Sequence, residues 1–310
     1  MPGVINSDDA VSLTELPASM TIIGGGVIGM EFASIYSAYG VKVNVVEILP
    51  RILRNTDDEI VRRFQTIIKG QGVGIYADSK VQQIREANGG LETVVQTKDG
   101  EQVFGSELVL IAGGRIPNVD ATGGRDLGLE VENRAVKVNG RMQTNIPGVY
   151  AIGDLIGGAM LAHVASYEGE VAIDNILGHE READYTAVPD CIFTLPEIGS
   201  VGLSESQAKE QKRAVKVGKF PFSALGRAQS MGDTNGLVKI VSDPGDGTIL
   251  GMAVMGPHAS DLIAEGALAV QMKVKAIELA HTIHTHPTLP EATQEAALGA
   301  TIGGYIHYGS

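Results

Sequence analysis

Three histidines fall within six residues near the C-terminus, in the run His281-Thr282-Ile283-His284-Thr285-His286-Pro287-Thr288-Leu289-Pro290-Glu291. Such a cluster invites a metal reading, but no cysteine lies close by and Glu291 is the only near anionic group, so no metal is expected. An acid–base role for His286 has better chemical support. Imidazole titrates near neutrality, and a carboxylate bonded to one ring nitrogen fixes the tautomer and stabilises the charged ring. Glu291 lies about one helical turn past His286, and Pro287 and Pro290 stiffen the segment. A plainer alternative stands beside this one: Thr288-x-x-Glu291 is a capping box for a final helix. One carboxylate is not expected to cap Thr288 and orient His286 equally well, so both readings stay open at this level.

A second constellation is Gly24-Gly25-Gly26-Val27-Ile28-Gly29, with Met30 and Glu31 following and Glu47 lying 23 residues after Gly24. This is the pattern of a dinucleotide fingerprint. Gly24 permits a tight turn, Gly26 lets backbone approach a pyrophosphate, and Gly29 allows close helix–strand packing. A carboxylate at Glu47 would accept from a ribose 2′-hydroxyl and repel a 2′-phosphate, which favours NAD over NADP. The one cysteine, Cys191, is followed by Ile192 and Phe193 in an expected strand and reads as a small buried hydrophobe; dithiol–disulfide chemistry needs two thiols.

The elements around these residues are α/β in texture. Met20–Ile23 is an apolar strand, Ile28, Phe32, Ile35 and Tyr36 mark one helical face, Gly40 stops that helix, and Val41–Val46 is a second strand. Residues 1–18 read as an acidic leading loop. Thr56-Asp57-Asp58-Glu59 is a capping box with Thr56 as N-cap, opening a helix that buries Ile60, Val61, Phe64, Ile67 and Ile68. Val73–Tyr76 is a third parallel strand. The period then changes to two, and Val81–Arg85, Leu91–Thr97 and Gln102–Phe104, joined by turns at Asn88-Gly89-Gly90 and Asp99-Gly100, form an antiparallel meander. Glu107–Ala112 returns as a strand buried on both faces and delivers Gly113-Gly114-Arg115 to its carboxyl end, where ligands sit in open α/β sheets.

The expected division is residues 1–118, a Rossmann-like domain with a meander; 119–187, a smaller segment; and 188–310, an α+β domain. In the middle segment Gly148–Asp154 reads as a short buried strand ending on an acid, and Met160-Leu161-Ala162-His163 starts a helix. Asp154 reads either as a polyol-binding carboxylate or, on residue chemistry alone, more simply as a cap or turn residue. In the last segment, strands are expected at Cys191–Thr194, Val215–Phe220, Leu237–Val241 and Ile249–Met255. Helices are expected after Ser204, over 260–272 and 274–282, and from Thr288.

The chain has 310 residues, 44% hydrophobic and 20% charged, with net charge −13 and no basic run. This excludes recognition of nucleic-acid phosphates and of anionic membrane surfaces. The first ten residues lack the basic and apolar regions of a secretion signal, and no apolar run is long enough to span a bilayer, so a cytoplasmic location is expected.

Taken together, Gly24–Glu31, Glu47, Gly114–Asn118, Gly148–Asp154, Met160–His163, Leu195-Pro196-Glu197, Pro221–Ala228 and His284–Glu291 resemble the flavin-dependent pyridine nucleotide–disulfide oxidoreductases, most closely the members that oxidise dihydrolipoamide with NAD. The resemblance implies that Gly24, Gly25, Gly26, Val27, Ile28, Gly29, Met30, Glu31, Glu47, Val81 and Gly114 line an NAD site, with Glu31 near the nicotinamide. It implies that Asp154 and Met160–His163 face an FAD, and that His286, oriented by Glu291, exchanges a proton with a dithiol at the active site of a partner subunit. Residues 119–187 would then be a partial FAD-domain segment. Residues 188–310 would form a homodimer interface, and the whole protein would serve lipoamide-bearing subunits of 2-oxo acid dehydrogenase complexes. The family's own flavin-binding half, with its C-x4-C pair, has no counterpart in these residues. The expectation is therefore an N-terminally shortened member that does not retain FAD by itself. Two alternatives are a non-catalytic module that binds NAD and dimerises, and another reductase of the same family.

Overall fold

Strands that are apolar on both sides must be covered on both faces, and residues 1–114 build a sheet of that kind. The computed structural model describes residues 1–87 and 89–306. Asn88, in the first expected meander turn, and residues 307–310, at the end of the last expected segment, lie outside the described residues. The elements run β1 (Val4–Ile5), α1 (Ser7–Ala10), β2 (Ser19–Ile23), α2 (Val27–Ala38), β3 (Lys42–Val46), α3 (Asp58–Gly70), β4 (Gly74–Tyr76), β5 (Lys80–Ala87), β6 (Gly90–Thr97), β7 (Gly100–Ser106) and β8 (Leu108–Ile111). The sheet order is β1-β8-β2-β3-β4, all parallel, and β5-β6-β7 is a separate antiparallel meander. Chain order reverses at β2, which pairs with β3 on one side and with β8 on the other. The carboxyl end of β2 is thus a topological switch point, where open α/β sheets bind ligands.

Next come β9 (Val131–Glu132), β10 (Ala135–Val136) and α4 (Ala162–Ile176). The remaining elements are β11 (Pro189–Ile192), β12 (Glu197–Gly202), α5 (Glu205–Glu210), β13 (Lys216–Pro221), α6 (Gly226–Met231), β14 (Leu237–Ser242), β15 (Ile249–Gly256), α7 (Ala259–Gln271), α8 (Ala276–His281) and α9 (Glu291–Thr301). They form a five-stranded antiparallel sheet, β11-β12-β15-β14-β13. Helix α9 packs directly on β13: a Cβ at Gly218 would meet the Ala296 carbonyl oxygen at 1.9 Å. Met1–Gly114 and the chain from Pro189 onward make one compact unit, and Arg115–Val188 makes a second. The first unit has a physical basis in one continuous core, where Ile192, Ile198, Leu237, Ala253 and Met255 join Met20, Ile22, Met30 and Phe64.

Several sequence expectations are corrected. Residues 1–18 are not all loop. Val4 and Ile5 add a strand beside β8, and Asn6 caps α1 reciprocally with Asp9. Two residues carry no measurable period, so β1 was invisible to pattern reading. The N-cap of α3 is Asp57, not Thr56: its Oδ1 accepts from the backbone N–H groups of Glu59 (3.0 Å) and Ile60 (3.4 Å). Helix α9 starts at Glu291 rather than Thr288, because the Thr288 hydroxyl turns back to the Thr285 carbonyl. On α2 the buried residues include Met30, Ala33 and, as expected, Phe32 and Tyr36, while Ile35 is 45% exposed. Gly29 is where the helix comes closest to the strand. Strand β12 was not expected; its glycines, Gly199 and Gly202, obscure the alternation that marks a strand.

Candidate functional site

The glycines after β2 divide by function. Gly24 has φ +114°, in the left-handed region, and a Cβ there would meet the Ala112 carbonyl oxygen at 2.3 Å. A Cβ at Gly29 would sit 1.9 Å from the Gly24 carbonyl oxygen. Gly26, the N-cap of α2, has φ −74° and open space where a side chain would stand. No side chain caps this helix and no acid lies in its first turn. Its leading N–H groups and positive dipole end are therefore offered outward, as an anion seat requires. Gly114, with φ +110°, follows β8.

Glu47 is buried under this turn. Its Oε2 accepts from the Gly25 N–H at 2.6 Å and its Oε1 from the Leu49 N–H at 2.7 Å. Each carboxylate oxygen retains a second acceptor position, so the residue braces the loop and keeps capacity for a hydroxyl. Val81 packs at the edge of the cluster of Val46, Val95 and Phe104. Met30 was also expected at the dinucleotide site. Its side chain is wholly buried in the core and its N–H bonds the Gly26 carbonyl. Glu31, one position on, is half-buried. Burial raises its carboxyl above the usual glutamate range; the charge of Asp190 adds to this, and the bond it accepts from the Phe193 N–H at 2.9 Å opposes it. Ser34, one turn further, accepts from the Leu195 N–H at 2.9 Å. Together Glu31 and Ser34 hold the end of β11 against α2, a role that nothing in the local sequence signals.

At the other candidate site, Glu291 holds both His286 and the Thr288 backbone, although Thr288 does not cap α9. Its Oε1 lies 2.8 Å from His286 Nδ1, and its Oε2 accepts from the Thr288 N–H at 2.8 Å. The expectation that one carboxylate would not serve both is overturned, because its two oxygens point in different directions. A carboxylate can only accept, so Nδ1 carries the proton and Nε2 is the proton-exchanging position of the neutral ring. Glu291 is 6% exposed and the His286 ring 68% exposed, so the orienting acid is fixed while the imidazole stays accessible. His284 belongs to a second pair, its Nε2 lying 3.0 Å from Glu265 Oε1 on α7. The histidines do not converge: among the described residues no group of three or more His, Cys, Asp or Glu side chains is placed to hold a metal ion.

In the smaller unit, Asp154 caps no helix. It lies in a short 3-10 turn, Gly153–Ile156, with its carboxylate half-exposed and Oδ2 3.9 Å from Arg115 Nε. Met160 has φ +50°, a strained setting for a residue with a side chain. Leu161 is the N-cap of α4, whose first residues, Ala162 and His163, are exposed and carry no side-chain cap. Glu168 escaped sequence reading. Buried on the inward stripe of α4 with Val164, Val171 and Ala172, it accepts from the Gly153 N–H at 2.7 Å and the Tyr185 hydroxyl at 2.9 Å. It therefore fixes the turn that presents Asp154. The only available signal was a glutamate on an otherwise apolar face.

Cys191 lies on β11, and burial, with Asp190, Glu197 and Asp261 adding, pushes its thiol up to about 11. Alkylation by iodoacetamide at about pH 7.5 is expected to run roughly 10- to 100-fold slower than for an unperturbed cysteine. Labelling followed by mass spectrometry checks this, and a rate equal to that of a free thiol contradicts it.

No helix among the described residues is long and apolar enough to cross a membrane. Residues 2–169 match the family described as pyridine nucleotide-disulphide oxidoreductase, and residues 188–297 match its dimerisation domain. A dihydrolipoyl dehydrogenase of Bacillus subtilis is 42% identical over 308 residues, covering 98% of this chain and 65% of that protein. One from Halobacterium salinarum is 42% identical over 306 residues, covering 98% and 64%. Among solved structures, the HOCl-induced flavoprotein disulfide reductase RclA from Escherichia coli superposes with a TM-score of 0.89 at 29% identity, covering 96% of this chain and 68% of that one. LpdA from Mycobacterium tuberculosis superposes with a TM-score of 0.84 at 29% identity, covering 92% and 62%. The chain thus spans 65% of the length of the Bacillus relative and holds a single cysteine, with no redox pair. With both domain types matched in order, the chain belongs to the pyridine nucleotide-disulphide oxidoreductases, as a dihydrolipoyl dehydrogenase-like member.

Proposed function

We propose that this chain carries the NAD-binding and interface portions of a dihydrolipoyl dehydrogenase, whose parent reaction is dihydrolipoamide + NAD⁺ → lipoamide + NADH + H⁺. The observation that carries the reading is the uncapped N-terminus of α2, opened by Gly26 at the sheet's switch point. The residues fit NAD there: Gly24 and Gly29 bring turn and helix together, the α2 amides meet the pyrophosphate, and Glu47 meets a ribose hydroxyl. Glu31 would be the residue on the nicotinamide side. NAD, when bound, supplies the hydride acceptor.

FAD fits only in part. Asp154 and Met160–His163 are available to its ribityl chain and ring. Among the described residues, however, there is one parallel sheet and one glycine turn of this kind, already assigned to NAD. No second pyrophosphate seat follows from these elements, and no step is derived through the flavin. At His286, Nε2 takes the proton of a substrate thiol, and Glu291 stabilises the resulting imidazolium through Nδ1–H. The thiolate is the reactive form of the sulfur.

Residues 188–310 are proposed to form a homodimer interface, supported by the matched dimerisation domain and by exposed Phe193, Leu268, Met272 and Ile283, the last 96% exposed. The lone, poorly acidic Cys191 favours a second reading for the isolated chain: a module that binds NAD and dimerises without turnover.

The test is titration of the purified chain with NADH and NADPH by fluorescence, together with light scattering, a visible spectrum and a lipoamide assay. NADH is expected to bind at least about tenfold more tightly than NADPH, because a 2′-phosphate would meet a buried carboxylate. Equal affinity for the two nucleotides, or none for either, sinks the NAD assignment. Lipoamide turnover by the chain alone sinks the non-catalytic reading.

A further inference from the structure

His284 stands two residues before His286, on the same strap between α8 and α9, and its side chain is 6% exposed. Both ring nitrogens face oxygen. Nδ1 lies 2.8 Å from the Thr282 backbone carbonyl, and Nε2 lies 3.0 Å from Glu265 Oε1. A carbonyl and a carboxylate can only accept, and a neutral imidazole has one donor, so only the doubly protonated ring satisfies both contacts. Leaving a buried acceptor unmet has a cost, which the charged ring avoids. The titratable groups facing the ring are Glu265 from α7 and Glu291 from α9, with His286 next on the strap. The charges of both facing carboxylates favour the cation.

The contacts also lock the strap in place. The Thr282 carbonyl accepts from Gln294 Nε2 at 3.1 Å as well as from His284, and Gln294 reaches the Ala280 carbonyl at 3.0 Å. Gln294 stands one turn after Glu291 on α9. The strap is thus tied to α7 through His284 and Glu265, and to α9 through Gln294 and Glu291, with His286 between the two ties. We propose that His284 is the positioning residue of this site: a fixed imidazolium, paired with Glu265, that holds the strap so that His286 keeps its bond to Glu291.

This rests on the reading of His286 as the acid–base group. The bond to Glu265 raises the titration of His284 above the ordinary histidine value, burial opposing it and the Thr282 carbonyl and the charges of Glu265 and Glu291 adding. A raised folded-state pKa stabilises the fold fully below the unfolded value, and that stabilisation is lost as pH rises through the folded one.

The test is ¹⁵N spectroscopy of the full chain labelled at histidine, titrated from about pH 6 to 9, with His284→Gln and His286→Gln used for assignment. Both ring nitrogens of His284 are expected to be protonated at about pH 7.5, with a midpoint above that of an ordinary histidine. Glu265→Gln is expected to return the ring to the neutral form at that pH. In both Glu265→Gln and His284→Gln, the slowly exchanging Nδ1–H signal of His286 is expected to broaden or vanish. One unprotonated nitrogen on His284 at about pH 7.5 in the unaltered chain overturns the proposal, as does an unchanged His286 signal in both variants. None of these readouts uses a dithiol substrate, so a failed acid–base role for His286 is distinguishable from a failed role for His284.

Discussion

Lys239→Met is expected to destabilise the protein by about 3–5 kcal/mol, the range for removing one partner of a buried ion pair. Lys239 and Asp57 are each 2% exposed, and the lysine Nζ lies 2.9 Å from both Asp57 oxygens and 2.6 Å from Glu205 Oε2. Burial alone would push the amine down, but the bonds to Glu205 and Asp57 outweigh it and hold the amine above the ordinary lysine value. That stabilisation is therefore fully present up to the ordinary lysine range and is lost only in strong alkali. Methionine removes the charge and strands Asp57, which also caps α3. Glu59 joins the group through Lys219, at 2.6 Å. Burial would raise its carboxyl, but Lys219, Arg63 and Lys239 together lower it. Its stabilisation is present above the ordinary glutamate value and fades as pH falls through the lowered one. Urea unfolding of the single variant and of Asp57→Asn/Lys239→Met measures the effect. The double variant is expected to recover part of the loss, since no buried charge is then unpaired. A cost below about 1 kcal/mol for Lys239→Met would show the network to be no stronger than a surface pair.

Two glycine substitutions three residues apart are expected to fail in opposite ways. Gly29→Ala puts a methyl group 1.9 Å from the Gly24 carbonyl oxygen, a backbone atom that cannot swing aside. The start of α2 must retreat, at roughly 1–3 kcal/mol of overpacking, and NADH binding is expected to weaken about 10- to 100-fold as the amides leave register. Gly26→Ala meets nothing within 4 Å, at an ordinary φ of −74°. It should change stability by no more than about 0.5 kcal/mol, yet block the approach of a phosphate to the helix end. Thermal unfolding and NADH titration on the same samples separate the two. If Gly26→Ala binds NADH normally, the phosphate seat is elsewhere.

The glycine-rich turn after β2 was legible because its evidence is local: a strand, glycines at fixed offsets, a periodic helix and a terminal acid all lie within about 30 residues. What the sequence left unread depends on partners far along the chain. Asp57 pairs with Lys239, 182 residues away, and Phe193 leans on Glu31 across 162 residues. Neither separation leaves a local pattern. At Glu291 the difficulty was different. Sequence reading assigned one role to one side chain, whereas a carboxylate has two oxygens that serve different donors. On α2, Phe32 and Tyr36 lie on the buried face that the period marks, whereas Ile35 is exposed and Met30 is buried in its place, a rotation of the face by less than a turn that periodicity alone does not resolve.

The two-residue strand β1 has a consequence out of proportion to its length. Ile5 and Val4 occupy the side of β8 that β2 does not, and the Tyr36 hydroxyl anchors the following turn by donating to the Ala10 carbonyl at 2.7 Å. Leu108–Ile111 is an apolar strand, and without β1 one side of it would present unpaired amides and carbonyls to solvent, a ready template for another chain to add a strand. A shorter version of this protein starting at the glycine-rich unit would keep every residue assigned here to chemistry, yet open an adhesive edge. Two residues of strand thus cover the backbone of Val109 and Leu110 on the side that β2 leaves open.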